Sequence, residues 1–110
     1  MPEPEPICVY EKRDPNIAII RLNRPEKKNA ISRDLYWALD EAWHKAKDDD
    51  DVWSIILTGS GDAFCAGGDL KENLAFAKGE MKGPRTGPRP YSNTRMLQMH
   101  KPIIAAINGL

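Results

Sequence analysis

No apolar run in the sequence approaches the ~18–20 residues that a membrane-spanning helix needs, so no membrane partner is expected. An excess of charge is lacking as well, since 16 basic residues balance 16 acidic ones. A nucleic-acid partner would call for a clustered basic excess, and none is expected here. The stretch Lys78–Arg89 is locally basic and reads as a solvated loop or as a rim that attracts anions. Cysteine is scarce. Cys8 and Cys65 form neither a metal-ligand pattern nor a disulfide framework, and small buried packing is the expected role of Cys65. The start, MPEPEP, alternates proline with acid, the opposite of the basic start of a secretory leader. Without such a leader, the reducing cytoplasm is the expected compartment. Aromatics are few, and Trp37, Trp43 and Trp53 are expected to pack. The two histidines carry no catalytic constellation: His44 sits on the flank of a helix beside Lys45, and His100 stands at a helix end, where a cation is favoured.

What remains suits one domain, because 110 residues are too few for two. Residues 1–6 are expected to be a frayed tail and 7–110 the folded portion. Ile7–Tyr10 and Asn16–Leu22 are β-prone runs, and the turn residues Arg13-Asp14-Pro15-Asn16 between them predict a hairpin. Asn23–Asn29 is a polar loop. Ser32 is a good N-cap, after which Leu35, Ala38, Leu39, Ala42, Trp43 and Ala46 recur at helical spacing. That helix should stop near Lys47, because the acidic run Asp48–Asp51 opposes the negative end of the dipole. Trp53–Leu57 predicts a strand covered on both faces, and Ala63–Ala66 a very short second one. Leu70–Ala77 predicts a helix whose cap Asp69 is followed three residues later by Glu72. Three glycines and three prolines make Gly79–Pro90 a loop. Tyr91–His100 reads as a helix with Met96, Leu97 and Met99 partly buried, and Ile103–Ile107 as a buried strand. Helices alternating with strands argue for an α/β fold.

The chemistry concentrates at Gly67-Gly68, between an apolar segment and a helix. The first N–H groups of a helix have no intrahelical acceptor, and negative charge is favoured there. Glycine lets a ligand approach the main chain without a Cβ in the way. Such a segment can bind an anion or a developing oxyanion, or its glycines can serve the geometry of the turn alone. A dinucleotide fold is a weak rival: Gly59-Ser60-Gly61 begins G-x-G, but Phe64 stands where the third glycine belongs.

Three segments together resemble the crotonase superfamily, the enoyl-CoA hydratase/isomerase family. They are LNRPEKKNAIS (Leu22–Ser32), IILTGSGDAFCAGGDL (Ile55–Leu70) and HKPIIAAINGL (His100–Leu110), in the family's order and approximate spacing. The resemblance implies a crotonase-like spiral of β-β-α units, here incomplete at the C-terminus, in a family that assembles as trimers or dimers of trimers. It implies acyl-CoA thioester substrates, with coenzyme A as part of the substrate and no prosthetic group. Two backbone N–H groups would stabilise an enolate-like thioester oxyanion. Ala66-Gly67-Gly68-Asp69 matches the family's A-G-x-D motif, so the first of these donors falls on Gly68 N–H. Ala66, Asp69, Leu70 and Lys71 match positions that line the acyl-CoA site.

The N-R-P-x-x-x-N-A loop would lie along the CoA nucleotide, where Lys27 or Lys28 would pair with phosphates or else stay solvated. Asp62 stands where some relatives carry a basic residue. The family's second donor and its catalytic glutamates match nothing in these 110 residues. Hydration of a 2-enoyl-CoA is therefore the activity that the resemblance implies, with the chain inactive alone. A non-catalytic acyl-CoA-binding or interaction module stays open beside it. So does a portion of an isomerase, dehydratase or hydrolase of the same family.

Overall fold

The computed structural model describes residues 5–80, 96 and 98–110. Its elements run β1 (Cys8–Arg13), β2 (Ile17–Leu22), α1 (Arg33–Asp48), β3 (Ser54–Gly59), α2 (Leu70–Ala77) and β4 (Ile103–Ala105). The strands form one sheet in the order β1-β2-β3-β4, with β1 antiparallel to β2 and the other two pairings parallel. A parallel neighbour demands a long crossover, and α1 supplies the one between β2 and β3. The predicted hairpin is present. Its turn carries a cis Asp14–Pro15 peptide and Asn16 in the left-handed region, and Asn16 Nδ2 donates to Asp51 O at 3.0 Å.

Strand β2 shows why the sheet has a definite inner face. Ala18, Ile20 and Leu22 alternate with Ile17, Ile19 and Arg21, and only the first set is buried. Pairing carries this face across the sheet, because Ala18 lies opposite Ile55 and Ile20 opposite Leu57. Helix α1 covers it with Ala42, Trp43 and Ala46. Trp43 is 2% exposed. At ~25 cal/mol per Å2, hiding an aromatic side chain of ~200 Å2 contributes about 5 kcal/mol.

Ser32 caps α1 as expected, its Oγ accepting from Leu35 N at 3.1 Å. The far end runs one residue past Lys47, to Asp48. There the Lys101 ammonium donates to Ala46 O at 2.6 Å and Asp49 O at 2.7 Å, satisfying carbonyls that a helix end leaves bare. His44 stands on the exposed flank and meets Asp48 at 3.1 Å.

Several expectations need correction. Strand β1 continues to Arg13, because its ladder with β2 pairs Arg13 with Ile17 while Glu11 and Arg13 stand on the outer face. Strand β3 is covered on one face, with Ile55 buried and Ile56 half-buried. Strand β4 is shorter than Ile103–Ile107 and is not buried: Ile104 on its outer face is 56% exposed. Of the three tryptophans only Trp43 packs fully, since Trp37 is half-exposed and Trp53 precedes β3 at 67% exposure. No strand forms at Ala63–Ala66.

Residues 1–4 of the expected tail lie outside the described residues. Pro6 O accepts from Asn23 Nδ2 at 3.0 Å. Most of the loop Gly79–Pro90 and of the helix Tyr91–His100, with Leu97, also lies outside the described residues. Met96 and Met99 pack against the core as expected. Among the described residues no helix is long and apolar enough to cross a membrane.

Candidate active site

The site is built from the three sequence segments, which meet beyond the ends of β2 and β3. After β2 the chain makes a 3-10 turn over Pro25–Lys27, and Lys28 and Asn29 follow in the left-handed region. Asn29 is completely buried. Its Oδ1 accepts from Arg24 N at 2.8 Å, and its Nδ2 donates to Ser60 O at 3.0 Å and Ala63 O at 2.8 Å. From the other side Asn108 Nδ2 donates to Gly59 O at 2.9 Å, Gly61 O at 2.9 Å and Ala63 O at 3.2 Å. Two amides from distant parts of the chain thus hold the loop that follows β3. This explains why Ala63–Ala66 is not a strand: its polar groups are claimed by side chains and by Leu110 O, which accepts from Cys65 N at 2.7 Å.

The next residues run alongside the end of the Asn29 loop. Ala66 N donates to Lys28 O at 3.0 Å, Ile31 N to Gly67 O at 2.7 Å, and Asp69 N to Ile31 O at 3.1 Å. Ile31 and Gly68 therefore form an isolated parallel bridge. In a parallel bridge the bonds to Ile31 come from the residues flanking Gly68, so the N–H and C=O of Gly68 itself face the other way. Among the described residues Gly68 N–H has no acceptor, and Gly68 is exposed. The two glycines differ in what they require. Gly67 has φ +100°, a conformation that side chains disfavour, whereas Gly68 needs no positive φ.

Asp69 caps α2, its Oδ1 accepting from Glu72 N at 3.0 Å. Its Oδ2 accepts from Arg24 Nη1 at 2.7 Å, and the same nitrogen donates to Ala30 O at 3.0 Å. Glu72 Oε1 accepts from Arg33 N at 2.7 Å, joining α2 to the start of α1. Sequence reasoning missed Arg24 as a member of the site. The N-R-P triplet was the only available signal, because its carboxylate partner is 45 residues away.

The Glu72 N–H and the Arg24 guanidinium hold the Asp69 carboxyl below its ordinary 3.8. A lowered value in the folded state means that the ionised carboxylate adds stability at neutral pH. That contribution fades as acidity rises through the folded value. Between about pH 5 and pH 2 the wild-type urea midpoint should therefore fall more steeply than that of Asp69→Asn. Parallel midpoint–pH curves for the two chains would contradict this.

Lys27, Ala66, Gly68, Asp69, Leu70 and Lys71 border one open cleft of about 720 Å3, a size typical of small-molecule sites. Arg24 and Glu72 also reach it. Lys28 does not; its ammonium meets the Asp62 carboxylate at 3.0 Å on the surface. Cys65 is half-buried rather than buried, its Sγ accepting from Gly67 N at 3.4 Å. Burial pushes the Cys8 thiol up to about 11, which removes it as a nucleophile near neutrality.

The chain is 37% identical over 105 residues to "Probable enoyl-CoA hydratase 1, peroxisomal" of Arabidopsis thaliana, covering 96% of this chain and 38% of that protein. It is 38% identical over 106 residues to the mevalonyl-coenzyme A hydratase of Aspergillus fumigatus, covering 93% and 37%. Among solved structures, the carnitinyl-CoA hydratase of Mycobacterium avium superposes with a TM-score of 0.73 at 35% identity, over 96% of this chain and 40% of that one. The chain thus spans about two fifths of the length of the relatives it matches. The fold is the α/β crotonase fold of these relatives. The sequence model of the enoyl-CoA hydratase/isomerase family matches residues 12–110, and the chain belongs to that family.

Proposed function

We propose that these residues form the N-terminal part of an acyl-CoA thioester site whose reaction is the hydration of a 2-enoyl-CoA. In that reaction water gives up one proton as its oxygen bonds to C3, and the C2–C3 π electrons move through C2 onto the thioester oxygen. C2 then takes a proton, so the net change is the addition of one water. Gly68 N–H is the donor placed to stabilise the oxyanion in between. The observation that carries the reading is this N–H, left without an acceptor among the described residues while both neighbours are tied to Ile31, at the border of the cleft. Arg24, Lys27 and Lys71 bring three cations to the cleft against the carboxylates of Asp69 and Glu72. That balance suits the polyanionic coenzyme A moiety, with Lys27, and Lys28 if it leaves Asp62, as phosphate partners.

The proton-transfer groups of such a reaction match no residue of this site, so the 110-residue chain should hydrate crotonyl-CoA no faster than buffer. Binding is the better test. Cinnamoyl-CoA absorbs at longer wavelength when its carbonyl is polarised, and the wild-type chain should produce that red shift. Gly68→Pro removes the donor and keeps Gly67 O and Asp69 N, the groups that bond to Ile31; it should abolish the shift while changing affinity less than about tenfold. Gly68→Ala keeps the N–H, and among the described residues its Cβ would meet only the end of the Asn73 side chain, at 3.2 Å. It should keep the shift. An unchanged spectrum in Gly68→Pro would sink the assignment.

A second reading, a non-catalytic interaction module, is favoured by the exposed Leu70 and Leu74 on α2 and Ile104 and Ile107 near β4. Assembly of family-type trimers or hexamers would cover such surfaces, and sedimentation reads the difference. The two free cysteines suit a reducing compartment, the cytoplasm in this reading.

A further inference from the structure

We propose that Arg24 is a positioning residue for the Gly68 donor, acting by cancelling the negative charge of Asp69. The inference rests on the reading of Gly68 as a thioester donor. Helix α2 needs an acceptor at its start, and Asp69 Oδ1 provides it for Glu72 N. Asparagine or serine would cap equally well without a formal charge. An aspartate puts a full negative charge one residue from the N–H that has to attract a developing oxyanion. Like charges at such short range repel, the more so where water is partly excluded.

The geometry answers this conflict. Arg24 Nη1 lies 2.7 Å from Asp69 Oδ2, with the two side chains only 17% and 13% exposed. The same Nη1 also donates to Ala30 O, and the Arg24 main-chain N–H donates to Asn29 Oδ1, so the compensating charge is fixed rather than swinging in solvent. Arg24 and Asp69 border the same cleft as Gly68. The low carboxyl value of Asp69 keeps the pair ionic at neutral pH. Glu72, the other carboxylate at the cleft, engages Arg33 N instead. A tie of purely structural purpose would act through the bond itself; a charge-cancelling role acts through the sum of the two charges.

The two roles separate in the cinnamoyl-CoA spectrum. Arg24→Met should reduce the red shift of the bound thioester to less than half of the wild-type value. Arg24→Met/Asp69→Asn should return it close to wild type, although the bond is absent from both variants. Asp69→Asn alone, which keeps a cap and the arginine, should show a shift at least as large as wild type. It reads the same charge effect should Arg24→Met fail to reach the Trp43 fluorescence of the native chain. A full shift in Arg24→Met, a double variant as low as Arg24→Met, or a reduced shift in Asp69→Asn would each overturn the inference while leaving the thioester reading intact. A wild-type chain that binds cinnamoyl-CoA without any red shift overturns both.

Discussion

Asn29→Ala should lower the stability of the chain by about 3–5 kcal/mol, the sum of several lost contributions. The wild-type amide makes three hydrogen bonds in a completely buried position, to Arg24 N, Ser60 O and Ala63 O. Alanine leaves a buried donor and two carbonyls with fewer partners, and each such loss costs about 1–3 kcal/mol before Asn108 and water recover part of it. Residue 29 also sits at φ 56°. Asparagine tolerates that conformation, whereas alanine adds roughly 1 kcal/mol of strain. Urea unfolding followed through Trp43, buried against the sheet, measures the change. A loss below about 1 kcal/mol would show that the amide is not what holds the loop.

Gly59→Ala should be comparably damaging, by at least about 3 kcal/mol, for the opposite reason. A Cβ built at Gly59 would stand 2.5 Å from Phe64 O, 2.6 Å from Ala63 O and 2.8 Å from Asn29 Nδ2. Two of these neighbours are backbone, and the third is committed to Ser60 O and Ala63 O. None can withdraw without breaking the arrangement below Gly68. The same urea experiment reads the stability. Cinnamoyl-CoA reads the site, which should lose its spectral shift even where the core around Trp43 persists. A chain of wild-type midpoint would contradict the close approach.

Both residues were visible in the sequence only as parts of a motif. What sequence reasoning could find were features with local causes. The Ser32 cap and the helix after it follow from one side chain and a period of 3.6, and α2 with its Asp69 cap follows likewise. The donor role proposed for Gly68 is what the resemblance implies, and the exposed N–H in the turn is the physical feature that supports it. Features with distant causes stayed hidden. Lys101 capping α1 joins residues 55 apart, and Arg24 meeting Asp69 joins residues 45 apart. Trp53 and Ile104 were expected inside because they are apolar, yet among the described residues the sheet buries only the face that α1 covers. Periodicity tells which residues share a face. It does not tell which face meets another element.

Ala63 O, the carbonyl that accepts from both Asn29 and Asn108, has a consequence for the order in which the chain folds. Its partners lie 34 and 45 residues away along the chain. Neither contact is rewarded until a long loop has closed, and loop closure draws on chain entropy. The β1–β2 hairpin needs no such closure and has its ladder within reach from the start. The segment that presents Gly68 should therefore be the last part to gain protection from hydrogen exchange during refolding and the first to open from the native state.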